Sequence, residues 1–286
     1  MIGSILGGAF RLVARRPGAV TIWALLYLVG IFAIGLLRVL VTPAGASGPE
    51  WGIGGLLAGI VTQVLLIGLV AILLTAVCRA TLHPYKTGRF YLRLGSNELR
   101  VFALLLMLAV ATAIVAMLLG LIGETVLRGI GAGAMGDWFF LLAFAAILVG
   151  QVRISIALPL TYLYEQITVD EAWTLSRGHF WSLFGAFVGI SLLLLACWIA
   201  IMLIFFQPVV QAVLQSGLSS AGLISAMLLL VVEAMNLPAS SQVIVIALAL
   251  ILTALGFVLV TATLASAARE LLGLKEGQLP DLRRRS

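Results

Sequence analysis

The sequence predicts an all-α polytopic membrane protein with six transmembrane helices. Three observations carry that expectation. The 286 residues are 63% hydrophobic and only 10% charged, whereas a soluble domain carries roughly a quarter charged residues. Six apolar stretches each reach the about 20 residues that a helix needs to cross the hydrocarbon core. The 17 Lys and Arg residues collect in alternate gaps between those stretches, the pattern of a membrane protein whose cytoplasmic loops are basic. Helices are expected because unpaired backbone is not tolerated in lipid.

The spans fall at 19–41, 53–78, 101–123, 138–162, 182–206 and 243–268. The first follows Arg11, Arg15 and Arg16 and precedes Ala44, Gly45 and Ala46, which imitate a signal-peptide cleavage site. Its apolar run is much longer than the roughly 7–15 residues of a signal h-region, so it reads as a retained span. Trp51 precedes the second span, Trp138 opens the fourth, Tyr162 and Tyr164 close it, and Trp181 opens the fifth. The fifth gap, 207–242, is long and has Glu233 as its only charge. Its apolar part, 221–232, is too short to span. A seventh span there would put Arg283, Arg284 and Arg285 on the wrong side. The segment therefore lies on or dips into the outer leaflet, or packs as a helix over the bundle.

Charge sets the expected orientation. Arg11, Arg15 and Arg16 precede the first span. Arg79, Lys86, Arg89, Arg93 and Arg100 fill the second gap, Arg153 and Arg177 border the fourth, and Arg269, Lys275, Arg283, Arg284 and Arg285 follow the sixth. Only Arg38 and Arg128 fall on the other side. Both termini are therefore expected in the cytoplasm. The preference for Arg, with abundant Ala, Gly and Leu, points to a GC-rich bacterial genome and hence to a bacterial inner membrane. The net charge of +6 does not indicate nucleic acid, because the basic residues are dispersed over short loops with no soluble domain to dock it. Anionic lipid headgroups are the expected counter-charge, at about 1 kcal/mol per basic residue near the surface.

A weak threefold repeat runs through the chain. Each even-numbered span ends in an arginine: Arg79, Arg153 and Arg269. Each odd-numbered span is preceded by a short amphipathic stretch, containing Phe10-Arg11-Leu12, Leu92-Arg93-Leu94 and Trp173-Thr174-Leu175. The single membrane domain, 1–270, thus reads as units 1–80, 81–160 and 161–270, each an interfacial helix plus a helical hairpin, with a basic tail at 271–286. Over 86–100 a helical projection gathers Arg89, Arg93 and Arg100 on one side, against Phe90, Tyr91 and Leu94. Glu98 interrupts that apolar face and Gly95 weakens the helix. Thr168-Val169-Asp170-Glu171 matches a capping box ahead of Ala172-Trp173, and Gly178 permits a bend before the fifth span.

Arg153 stands out among the ionisable residues. It lies inside the fourth span, about nine residues or roughly 13 Å from its cytoplasmic end. An arginine at the bilayer centre costs on the order of 2.5–3.5 kcal/mol, so such a residue is a functional candidate. Pro159 is placed to open the backbone nearby. Partners within reach are Glu98, Glu165, Asp170, Glu171 or a lipid phosphate. The candidate lipid or substrate contacts are Arg153, Gln151, Arg79, Arg269, Arg89 and Arg93. Glu124 with Arg128, and Arg38 with Glu50 or Glu124, read as structural pairs. Cys78 and Cys197 lie in apolar runs, and His83 and His179 are the only histidines, so neither a disulfide nor a metal site is expected. Gly131, Gly133 and Gly136 spell a dinucleotide fingerprint without the preceding strand that gives it meaning. No catalytic motif is present and no cofactor is expected. Gly55 with Gly59, and Gly185 with Gly189, have the spacing of close helix contacts.

The stretch 153–184, with Trp173-Thr174-Leu175-Ser176-Arg177-Gly178-His179-Phe180-Trp181, and the run Tyr91-Leu92-Arg93-Leu94-Gly95 resemble bacterial six-span proteins similar to the membrane domain of glycerophosphoryl diester phosphodiesterases. That family's catalysis resides in a separate metal-binding barrel, for which this chain has no room. The resemblance implies a membrane module and no catalytic residue. The expected function is a non-enzymatic integral membrane protein that contacts anionic lipids, a partner membrane protein or a second copy of itself. The alternative is a small transporter or channel with a cavity lined by Arg153, Gln151, Glu124 and Gln63. An enzyme acting on lipids comes third.

Overall fold

The computed structural model describes residues 1–41, 53–82, 91, 95–127, 133–216 and 220–273. They form helices α1 (Ile2–Arg15), α2 (Pro17–Val41), α3 (Ile53–Leu82), α4 (Ser96–Leu121), α5 (Gly133–Ile154), α6 (Ala157–Tyr164), α7 (Val169–Ser176), α8 (Phe180–Phe205), α9 (Gln207–Ser216), α10 (Ser220–Asn236) and α11 (Ala239–Leu271), with a π-helical turn, Ile122–Leu127, closing α4. No strand occurs among the described residues. Six stretches are long and apolar enough to cross a membrane: Pro17–Val41, Gly54–Leu82, Ser96–Leu121, Trp138–Tyr164, Phe180–Phe205 and Ala239–Leu271. The protein is an all-α, multi-pass integral membrane protein.

The helices close into a ring. α2 packs on α3, α3 on α4, α4 on α5 and α6, α5 on α8, α8 on α11, and α11 returns to α2. Inside, α3, α6 and α11 touch one another. The short helices sit at one end: α1 lies against α11 and α8, and α7 against α5 and α6. That end carries Arg79, Arg153 and Arg269, each in the last turn of its helix, and is called here the basic end.

The core gathers at the basic end. One cluster joins Ile5, Cys78, Val101, Ile156, Leu160, Ala172, Leu183 and Ala268, drawn from seven different helices. A second packs Trp23, Val77, Tyr91, Val258 and Ala262. Towards the other end the helices expose Phe32, Val39, Leu57, Met117, Leu142, Ile204 and Ile244. That exposure carries no penalty where lipid tails are as apolar as the side chains.

The fifth gap folds as the α9–α10 hairpin. Phe206, Val209 and Ala226 form its small core, with Met202 and Phe205 of α8 and Val245 of α11 packed against it. The hairpin thus hangs from the outer ends of α8 and α11. The free side of α10 presents Met227, Leu228, Val231, Val232 and Met235.

Four local expectations are refined. The fourth span is not one continuous helix: α5 ends at Ile154 and α6 starts at Ala157. Pro159 explains the break, since its ring clashes with the carbonyl four residues back, at Ser155. α5 begins at Gly133, its 22 residues extend about 33 Å, and Arg153 lies in its last turn, within the apolar stretch Trp138–Tyr164 that runs on through α6. Of the stretch 86–100, only Tyr91 and residues 95–100 are described, and the rest lies outside the described residues. Tyr91 adopts a left-handed backbone (φ 60°) and Gly95 is extended, so α4 starts only at Ser96. Thr168 does occupy the N-cap of α7, but its side chain makes no capping bond; its hydroxyl is buried without a partner. The bend at Gly178 is present (φ 83°). Of the two glycine pairs, only Gly185 and Gly189 make a close contact. Their added Cβ atoms would meet Ile2 Cδ1 at 2.8 Å and Leu6 Cδ1 at 3.4 Å, so they seat α1 on α8. Among the described residues, nothing lies within 4 Å of a Cβ added at Gly55 or Gly59.

Candidate functional site

Two arginines at the basic end meet the same electrostatic problem in different surroundings. Arg79 is brought to the start of α4 by the packing of α3 on α4. Its Nη2 donates to Glu98 Oε1 in an ion pair whose side chains are 15% and 6% exposed. Its Nη1 donates to the Tyr91 carbonyl at 2.6 Å, and its guanidinium lies 5.8 Å from the Tyr162 ring centroid. On the other side of Tyr91, the Arg16 guanidinium stacks at 4.9 Å from the ring. The left-handed Tyr91 backbone, uncommon for a bulky residue, is held by these contacts: it aims the carbonyl at Arg79 and the ring at Arg16. Glu98, an anomaly in the amphipathic reading, is the buried counter-ion of Arg79.

Arg153 has no such partner. Its guanidinium stacks on Trp173 of α7 at 4.9 Å and faces Phe180, the first residue of α8, at 5.7 Å. Its Nε is buried and makes no hydrogen bond. Among the described residues no carboxylate pairs with it: Glu98 belongs to Arg79, and Glu165, Asp170 and Glu171 are exposed. Asp170 and Glu171 instead occupy the first turn of α7, where negative charge suits the helix dipole. A cation over an aromatic face gains about 0.5–2 kcal/mol, more when desolvated. This holds the guanidinium in place, but among the described residues no group compensates its charge.

The remaining candidates are separate. Gln151 is exposed; two residues along a helix amount to about 200° of rotation, which turns it away from Arg153. Gln63 is exposed on α3, sixteen residues or about 24 Å of helix from Arg79. The Glu124 side chain, Arg89 and Arg93 lie outside the described residues, as do Arg128, Glu50 and His83. The described residues therefore do not assemble a polar cavity from Arg153, Gln151 and Gln63. No His, Cys, Asp and Glu grouping among them is able to hold a metal ion.

Arg269 ends α11 beneath α1. A Cβ at Gly8 would sit 2.6 Å from Ser266 Oγ and 3.6 Å from Arg269 Nη2. The neighbouring Glu270 accepts a hydrogen bond from Ser4 Oγ at 2.7 Å. The aromatic partners Trp173 and Phe180 were absent from the candidate set. A Trp followed seven residues later by a Phe, straddling Gly178, was the available signal, but it becomes a site only when α7 folds back over the end of α5. No known family, curated protein or solved structure matches this chain.

Proposed function

We propose that this integral membrane protein binds an anionic phospholipid through its phosphate group at Arg153, and that this binding, not catalysis, is its activity. The observation that carries the reading is the Arg153 guanidinium: in the last turn of a membrane helix, stacked on Trp173, with a buried Nε that has no acceptor. A charge with reduced access to water needs a counter-charge and hydrogen-bond acceptors. A phosphate supplies both, and the planar guanidinium fork matches it bidentately. Trp173 and Phe180 suit the interfacial level at which headgroups lie.

The same reading places the basic end at the cytoplasmic face of a bacterial inner membrane, where Arg11, Arg15, Arg16 and Arg177 add to the attraction. The resemblance to phosphodiesterase membrane domains is compatible with it, as a lipid-contacting module without a barrel.

The test is thermal unfolding of the purified protein with phosphatidylglycerol, phosphatidylcholine or inorganic phosphate. A ligand at about 100 times its Kd stabilises by about 2.7 kcal/mol. Phosphatidylglycerol is expected to raise Tm beyond the other two in the native protein. Arg153→Ala abolishes that difference and Arg153→Lys retains part of it. A phosphatidylglycerol response unchanged in Arg153→Ala would overturn the reading.

A further inference from the structure

We propose that the chain has a second seat for a phosphate-bearing headgroup, at Arg269 beneath α1, and that the corresponding third seat, at Arg79, is filled from within by the Glu98 carboxylate. The inference rests on the reading of Arg153 as a phosphate site and extends it to the three even-numbered spans.

The argument starts from how the arginines are placed. Arg79, Arg153 and Arg269 each end a helix at the basic end. Each lies against the segment that opens the next hairpin. Arg79 bonds to the Tyr91 carbonyl and to Glu98 at the start of α4. Arg153 lies on Trp173 of α7 and beside Phe180 of α8. Arg269 lies beneath Gly8 of α1, the helix that opens the first hairpin. The third joint thus returns to the first, in step with the closed ring of spans and the inner contacts of α3, α6 and α11.

The three joints differ in what meets the charge. Arg79 has a carboxylate. Arg153 and Arg269 have none among the described residues, and Glu270 beside Arg269 is engaged by Ser4. Ser266, one turn before Arg269 and so on the same face of α11, is 2% exposed and its hydroxyl has no hydrogen-bond partner. Gly8 lets α1 lie close against both groups: a Cβ there would sit 2.6 Å from the Ser266 hydroxyl and 3.6 Å from the Arg269 guanidinium. A hydroxyl donor beside a guanidinium is anion-binding chemistry, and a phosphate would satisfy both groups.

Native mass spectrometry of the full chain with phosphatidylglycerol reads the number of seats. The native protein is expected to retain two lipids, Arg153→Ala one, Arg269→Gln one, and the double variant none. Loss of the charge-assisted bonds should weaken the affected lipid by about tenfold or more. Arg269→Lys, which keeps the charge, controls for folding and retains two; Ser266→Ala weakens one lipid and leaves the other unchanged. Arg269→Gln that still retains two lipids overturns the second seat while leaving Arg153 untouched. Arg153→Ala that still retains two overturns the reading of Arg153 itself. Displacement of both adducts by inorganic phosphate would support the two seats and assign them to the soluble anion; failure to displace them assigns them to the lipid.

Discussion

Arg79 and Arg153 lie in the last turns of comparable helices, yet Arg79 is paired with Glu98 and Arg153 meets no carboxylate among the described residues. Removing Glu98 therefore strands a half-buried guanidinium. Breaking a buried pair by deleting one partner costs about 3–5 kcal/mol. Glu98→Ala is expected to lower the unfolding midpoint clearly in a neutral detergent and much less in phosphatidylglycerol, where a phosphate takes the carboxylate's place. An equal loss in both media would contradict this. At Arg153 the stacking partner is Trp173, 37% exposed. Trp173→Ala removes about 1–2 kcal/mol of cation–π attraction and should weaken lipid binding roughly tenfold in titrations, whereas Trp173→Phe should preserve most of it. The arginines were legible in the sequence because charge is conspicuous in an apolar chain. Their partners were not. Glu98 lies nineteen positions from Arg79 and Trp173 twenty from Arg153, and only the packing of α3 on α4 and of α7 on α5 joins them.

Helix α1 shows how an element is fixed by what its neighbours lack. Ile2 and Leu6 lie one turn apart, on the face that meets Gly185 and Gly189 of α8, and Gly8 meets Ser266 of α11. Gly8→Val would drive a branched side chain into Ser266 and is expected to cost about 1–3 kcal/mol. Hydrogen exchange is the measure: amides over Ile2–Arg15 should exchange faster, while those of α3 stay protected. Unchanged protection of α1 would show that it is not held at this contact. The spacing of Gly185 and Gly189 announced a close approach, but the same spacing at Gly55 and Gly59 meets open space among the described residues. A small-residue pair states that contact is possible; whether a helix arrives depends on the chain's path. The break before α6 was foreshadowed by Pro159. The earlier start of α5, at Gly133, was hidden because its first turn is poor in large apolar residues and Asp137 follows it. The break after Ile154 is what moves Arg153 from mid-helix to the final turn of α5.

For the whole molecule, six spans and the pairing of the basic ends were readable from length and charge alone, because the bilayer imposes both. The closed ring and the placement of the core were not, since lipid-facing and core-facing side chains are equally apolar and leave little helical periodicity. The orientation is proposed from charge alone. A green fluorescent protein fused after Ser286 should fluoresce, and alkaline phosphatase at the same position should be inactive; the reverse pattern would invert the whole assignment. The central claim is that a phosphate neutralises Arg153. It is tested most directly by determining the structure of the protein in a phosphatidylglycerol nanodisc. The account predicts a headgroup phosphate oxygen about 2.8 Å from the Arg153 guanidinium, against Trp173. A carboxylate of the chain itself in that place, such as Glu276 or Asp281, would contradict it.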